Sequence, residues 1–170
     1  MSNTTIRNED YQLFMSAYEI LSNAQDFESY KVSELISTII SSRPEILSIQ
    51  HPKTKLNLGM ICATLQMEDL VTAMLDANPE CALQQDKLGA NIGMYAARYE
   101  LEDATLKALD NEEASVQQDC VGNNIGMIAA HHKLKTAAKK ALTNETATNQ
   151  TNDFDMNIRA YMRKEKILAD

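Results

Sequence analysis

Tryptophan is absent from the 170 residues, and aromatic residues make up only 5% of them. A core without large rings has to be filled by Leu, Ile, Met, Val and Ala, which suits close-packed helices better than a β-sandwich. Glycine (5) and proline (3) are equally scarce, against the many tight turns of an all-β fold. No stretch approaches the roughly 18 continuous apolar residues of a membrane span. The opening MSNTTIRNEDYQLF has no apolar run of signal-peptide length. Cys62, Cys81 and Cys120 are odd in number and widely spaced, with no CxxC pair and no Cys/His cluster at zinc-ligand spacing. They read as reduced thiols in a cytoplasmic protein, although secretion as an effector without a classical leader is also compatible with the sequence. There is no Gly-rich phosphate loop, nucleophile elbow or HExxH. The expectation is therefore no enzyme, no cofactor, no metal, no membrane and no small-molecule substrate.

What is present is an ordinary share of hydrophobic residues, 44%, and a formal net charge of −8. Nucleic acid would be repelled by such a surface taken as a whole. The charge is uneven. Residues 133–170 hold eight Lys/Arg against five Asp/Glu, or +3, so residues 1–132 hold eight against nineteen, or −11.

The chain repeats itself, which is the first thing to look for in any sequence. Residues 84–97 read QQDKLGANIGMYAA and residues 117–130 read QQDCVGNNIGMIAA, identical at ten of fourteen positions at an offset of 33. NLGMICA at 57–63 is an earlier copy of the middle of the motif, so that Gly59, Gly93 and Gly126 share one register. LISTIISSRPEIL at 35–47 matches LVTAMLDANPECA at 70–82, and Asn157-Ile158 lies 33 residues beyond Asn124-Ile125. The units run about 11–51, 52–85, 86–118 and 119–142. A polar loop is expected at 143–151 and a capping helix at 152–170 built on Ile158, Tyr161, Met162 and Leu168. Divergent end units are what a linear array needs, because each end has a face without a neighbour.

Within a unit, periodicity gives two short helices. Asn91 or Asn124 is placed to cap the first, and paired alanines at 96–97 and 129–130 let helices approach closely. A second helix, from about Glu102 to Leu109, carries Leu101, Ala104, Ala108 and Leu109 on one side. Residues 110–122 hold turn formers that carry the chain back. Acidic clusters at helix starts read as solvated, dipole-compatible positions. His131-His132 point about 100° apart on a helix, which suits a surface better than a chelate. His51 falls near the turn position held by Asp86 and Asp119.

A 33-residue unit of this form resembles the ankyrin repeat. Asp86, Gly89, Ala96 and Ala97 match one unit, and Asp119, Gly122, Ala129 and Ala130 the next. Asn91-Ile-Gly-Met94 and Asn124-Ile-Gly-Met127 stand where that family has Thr-Pro-Leu-His, so its histidine hydrogen bond between repeats is missing. The resemblance implies an all-α, ankyrin-like helix-turn-helix solenoid with divergent terminal capping units. It also implies recognition of a protein partner by the concave face of turn tips and first helices. The positions that differ between near-identical units then mark the site. These are Lys87, Leu88, Ala90, Arg98 and Tyr99 in one unit, and Cys120, Val121, Asn123, His131 and His132 in the next. The alternative is a regulatory protein, an inhibitor-like subunit or a bacterial effector, whose −8 charge suits a basic target.

Overall fold

The computed structural model describes residues 7–23 and 29–167. Among these every regular element is helical: α1 (Asn8–Ser22), α2 (Ser29–Ser42), α3 (Leu58–Thr64), α4 (Glu68–Ala77), α5 (Ile92–Arg98), α6 (Glu102–Ala108), α7 (Glu112–Val116), α8 (Ile125–His131), α9 (Lys135–Ala141), α10 (Glu145–Asn149) and α11 (Ile158–Lys164). Short 3-10 turns at Pro44–Ser48 and Pro79–Leu83 occupy the place that α7 and α10 take later. No strand occurs among the described residues. One isolated bridge joins Gln85 to Asn91.

The repeat is visible as packing. First helices touch in series, α3 on α5, α5 on α8 and α8 on α11, and second helices do the same, α4 on α6 and α6 on α9. Each first helix starts on an asparagine and ends in the same way. Asn57, Asn91 and Asn124 accept from the backbone N–H of Met60, Met94 and Met127 at 2.9, 3.0 and 3.0 Å. At the far end, Gln66, Glu100, Lys133 and Lys166 take positive φ. The next residue donates to a carbonyl five back, as Leu101 does to Ala96 at 2.9 Å, which closes a Schellman cap without a glycine.

Helices this short are unstable alone, and the contacts between units supply what they lack. An added Cβ on Gly59, Gly93 or Gly126 would meet the Cδ1 of Ile92, Ile125 or Ile158 at 2.0, 2.5 and 2.6 Å, so each glycine is the socket for an isoleucine of the next unit. Ala96, Ala97, Ala129 and Ala130 are fully buried beside these sockets. Arg159 and Arg163 occupy the corresponding Gly126 and Ala130 positions in α11, and both are exposed. The socket is therefore closed in the last helix.

Two expectations are corrected. Residues 143–151 are not a loop, since α10 spans Glu145–Asn149 on an Asn144 cap, with Ala147 and Thr148 buried. The return segment 110–122 likewise contains α7, capped by Asn111. The capping helix expected at 152–170 is α11, preceded by a turn at 152–156. Ile158 and Met162 are buried and Tyr161 is half-buried, while Leu168 lies outside the described residues.

Candidate functional site

The QQ pair that opens each motif fixes the geometry of the whole array. Asn57, Asn91 and Asn124 donate to Cys81, Ala114 and Ala147 carbonyls at 3.2, 3.0 and 2.9 Å, and also to Gln84, Gln117 and Gln150 side chains at 2.9, 2.9 and 2.8 Å. Those glutamines donate backward across the unit boundary, Gln117 to Leu83 O at 2.8 Å, Gln150 to Val116 O at 2.7 Å and Gln84 to Ser48 O. A second column crosses in the other direction. Gln50, Gln85 and Gln118 donate to the carbonyls of Gln85, Gln118 and Thr151 at 2.9, 3.2 and 3.1 Å. These amides connect successive units.

Acidic residues at second-helix starts also act between units. Glu68 accepts from the N–H of Asp103 at 2.8 Å and of Ala104 at 3.3 Å, and Glu102 accepts from Thr136 at 2.8 Å and Ala137 at 3.4 Å. The second helices α6 and α9 start on Leu101 and Leu134, which cannot cap, so the preceding unit caps them. Solvation alone is thus the wrong account of these carboxylates. Ion pairs Lys107–Asp76 and Lys140–Asp110 tie the same helices together. Beside them lie two grooves one unit apart, of about 380 and 580 Å³, the larger lined mainly by polar and charged groups and the smaller also by Leu75, Pro79 and Ala82.

Next to the Gln85 and Gln118 column is an edge made of turn tips, since these side chains also donate to the Gly89 and Gly122 carbonyls. Asp86 accepts from the N–H of Leu88 and Ala90 at 2.8 and 2.9 Å, and Asp119 from Val121 and Asn123 at 3.1 and 2.8 Å. Asn152 repeats the arrangement with Phe154 and Met156, both at 3.0 Å. His51 fills the equivalent place in the first unit, where its Nδ1 lies 3.1 Å from the Thr54 hydroxyl and its ring stacks on Tyr18 at 4.2 Å. Adjacent tips are joined by Cys120 N–H to Leu88 O at 2.7 Å and Asp153 N–H to Val121 O at 3.0 Å. Leu88, Val121 and Phe154 therefore form one row. Leu88 is 60% exposed and Phe154 71%, the exposed large hydrophobics among the described residues.

The expected site residues separate into three groups. Lys87, Leu88, Cys120, Arg98 and His131 are exposed, and Val121 and His132 are half-buried beside them. Ala90 does not belong on a binding face, being 2% exposed beneath the tip. Asn123 is half-buried and its side chain accepts from Asn152 at 2.7 Å, an inter-unit bond. Tyr99 is half-buried and packs against the core, so it is less free than an outward-facing residue. Behind the tips, the Tyr95 hydroxyl donates to Asp86 at 2.8 Å, and Arg98 lies 5.8 Å from the Tyr95 ring centre and 3.8 Å from Asp119. Burial and the Asp86 carboxylate raise the Tyr95 pKa, keeping it a donor. Cys62 and Cys81 are buried thiols pushed up to about 12 by desolvation.

His131 and His132 meet edge-on at 5.2 Å and diverge toward different carboxylates, Glu165 at 3.8 Å and Glu100 at 3.7 Å. Among the described residues no group of three or more His, Cys, Asp or Glu could hold a metal ion, and no helix is long and apolar enough to cross a membrane. Phe154 was not among the expected residues. Its signal was an offset of two periods, 66 residues, from Leu88. No protein-family model matches the chain, and no curated protein matches it.

Proposed function

We propose that the chain is a protein-interaction module, an ankyrin-like solenoid that engages a protein partner along the edge of its turn tips and first helices. The observation that carries this reading is the row Leu88, Val121 and Phe154. Two large apolar side chains stand in solvent at positions where the backbone, held by Asp86, Asp119 and Asn152, has no need of them. Exposed apolar groups next to Arg98, Tyr99 and His131 have the composition of an interface, where rigid aromatic and arginine side chains dominate the energy. The order of the tips, fixed by bonds between units, would present this row preformed and so spare the partner the cost of ordering it.

Photo-cross-linking tests the reading. A benzophenone side chain placed at residue 88 or 154 should capture one partner in common, while the same group at Glu113, in α7 beside the larger groove, should not. Equal capture of that partner from all three positions would move the contact off the tips.

A further inference from the structure

The exposed columns change character along the array while the buried ones do not. The residue closing each first helix runs Thr64, Arg98, His131, Lys164, and the positive-φ residue two further on runs Gln66, Glu100, Lys133, Lys166. Both columns begin without positive charge and end with it. From α3 to α8 the Asn and Gln columns keep their residues and their hydrogen bonds. Folding therefore accounts for the constant columns and leaves the gradient unexplained. Among the described residues, Arg163, Lys164 and Lys166 make no ion pair, and all three are exposed. The carboxylate in their midst, Glu165, is drawn to Lys133 at 3.7 Å and His131 at 3.8 Å. Phe154, the more exposed of the two large apolar side chains, belongs to the same unit. Asp153 and Asp155 flank it at the tip, so the positive charge is confined to the helix end of the face.

We propose that the C-terminal half of the face takes an acidic segment with an apolar anchor. Its carboxylates would lie against Lys133, Lys164 and Lys166, and the anchor beside Phe154. This rests on the reading of the tip edge as a protein-binding surface, and it specifies the partner in the opposite sense to the net charge of −8. Net charge describes the far field, but a docked segment meets only charges within about 10 Å, because salt screens the rest. Lys164 and Lys166 are in no ion pair among the described residues, so an acidic ligand gains charge complementarity there at no internal cost, while Lys133 would share its charge between the ligand and Glu165.

The test uses fluorescein-labelled synthetic peptides on the full chain, read by anisotropy at low and high salt. One peptide alternates Glu and Leu, a second Lys and Leu, a third Glu and Ser. The Glu–Leu peptide should bind, more weakly as salt rises, and in preference to both others. Lys164→Glu with Lys166→Glu should weaken it at least about tenfold, and the milder Lys164→Ala with Lys166→Ala by less. Lys135→Glu with Lys139→Glu, on α9, should leave it unchanged. Circular dichroism confirms that each variant is folded. The proposal is overturned if the Glu–Leu peptide does not bind, if the Lys–Leu peptide binds as well, or if both charge-reversed pairs weaken binding alike. Loss of binding in Phe154→Asp with no response to charge reversal would keep the surface and remove the acidic partner. A bound peptide that responds to neither would remove both readings.

Discussion

Two sets of positions, a few residues apart in each unit, behave in opposite ways. Asn57, Asn91 and Asn124, with Gln84, Gln117 and Gln150, are the same in every unit, buried or half-buried, and fully engaged by hydrogen bonds to the backbone and to each other. Leu88, Val121 and Phe154, or Arg98, His131 and Lys164, differ from unit to unit and stand at least partly in solvent. The difference separates what joins units from what units are free to vary. A buried amide has four hydrogen-bonding capacities and is costly to leave unmatched, whereas an exposed tip side chain has no such constraint. Under the proposed function, variation on the tips carries information about a partner that identity at the asparagines does not.

The largest expected effect breaks the constant side. Asn124→Ala removes a helix cap and two further bonds at a fully buried position, and should cost about 3 kcal/mol. Chemical denaturation measures it. A loss below about 1 kcal/mol would mean that water replaces the amide without penalty.

Next comes the socket. In Gly93→Ala the new methyl would sit 2.5 Å from the Ile125 Cδ1 and 2.7 Å from the Ala108 Cβ. The isoleucine tip can turn aside but the alanine cannot, so roughly 1–3 kcal/mol should be lost. A neutral result in the same denaturation experiment would show that neighbouring helices slide to make room.

Glu102→Ala should cost about 1 kcal/mol, the worth of a helix cap, by freeing the N–H groups of Thr136 and Ala137. Lys135 holds the same position in the next unit, where no second helix follows α11 among the described residues, and Lys135→Ala should be neutral in the same experiment. Equal effects would contradict capping between units.

The N-terminal unit provides the pH test. The Arg7 hydrogen bond to Asp10, at 3.0 Å, leads the factors that hold the Asp10 carboxyl below its ordinary value, and Arg43 adds to it. A depressed folded pKa contributes stability that is present above the unfolded value of about 3.9 and is lost as pH falls through the folded one. Melting curves of the natural protein and Asp10→Asn should therefore converge below about pH 4, with the natural protein the more stable above it. Parallel curves across this window would show that the ion pairs do not stabilise α1.

Much of this organisation was legible before any coordinates. The Asn caps, the paired alanines and the helix limits follow from local chemistry, because capping and close approach are written within a few residues. The glutamine columns were visible only as identity, since their partners lie 33 to 36 residues away and nothing local says where an amide points. The same distance hid the role of Glu68 and Glu102. The helices α7 and α10 span five residues each, less than two turns, too short for an apolar period to register. Ala90 and Asn123 entered the expected site because they differ between units, but one fits under a tip and the other bonds to its neighbour. Phe154 was lost because its turn, NDFDM, shares neither the aspartate nor the glycine of the other tips, although Asn152 and Asp155, at φ 56°, reproduce the same geometry.

The division between joining and binding positions is tested most directly by following melting and cross-linking together in two variants, Leu88→Ser with Phe154→Ser, and Asn124→Ala, with a benzophenone at residue 121 as the common reporter. The tip variant should melt within a few degrees of the natural protein and lose capture of its partner. The asparagine variant should melt much lower and, at temperatures where it remains folded, capture the partner as before. A tip variant that melts as low as the asparagine variant, or that captures the partner undiminished, would contradict the account.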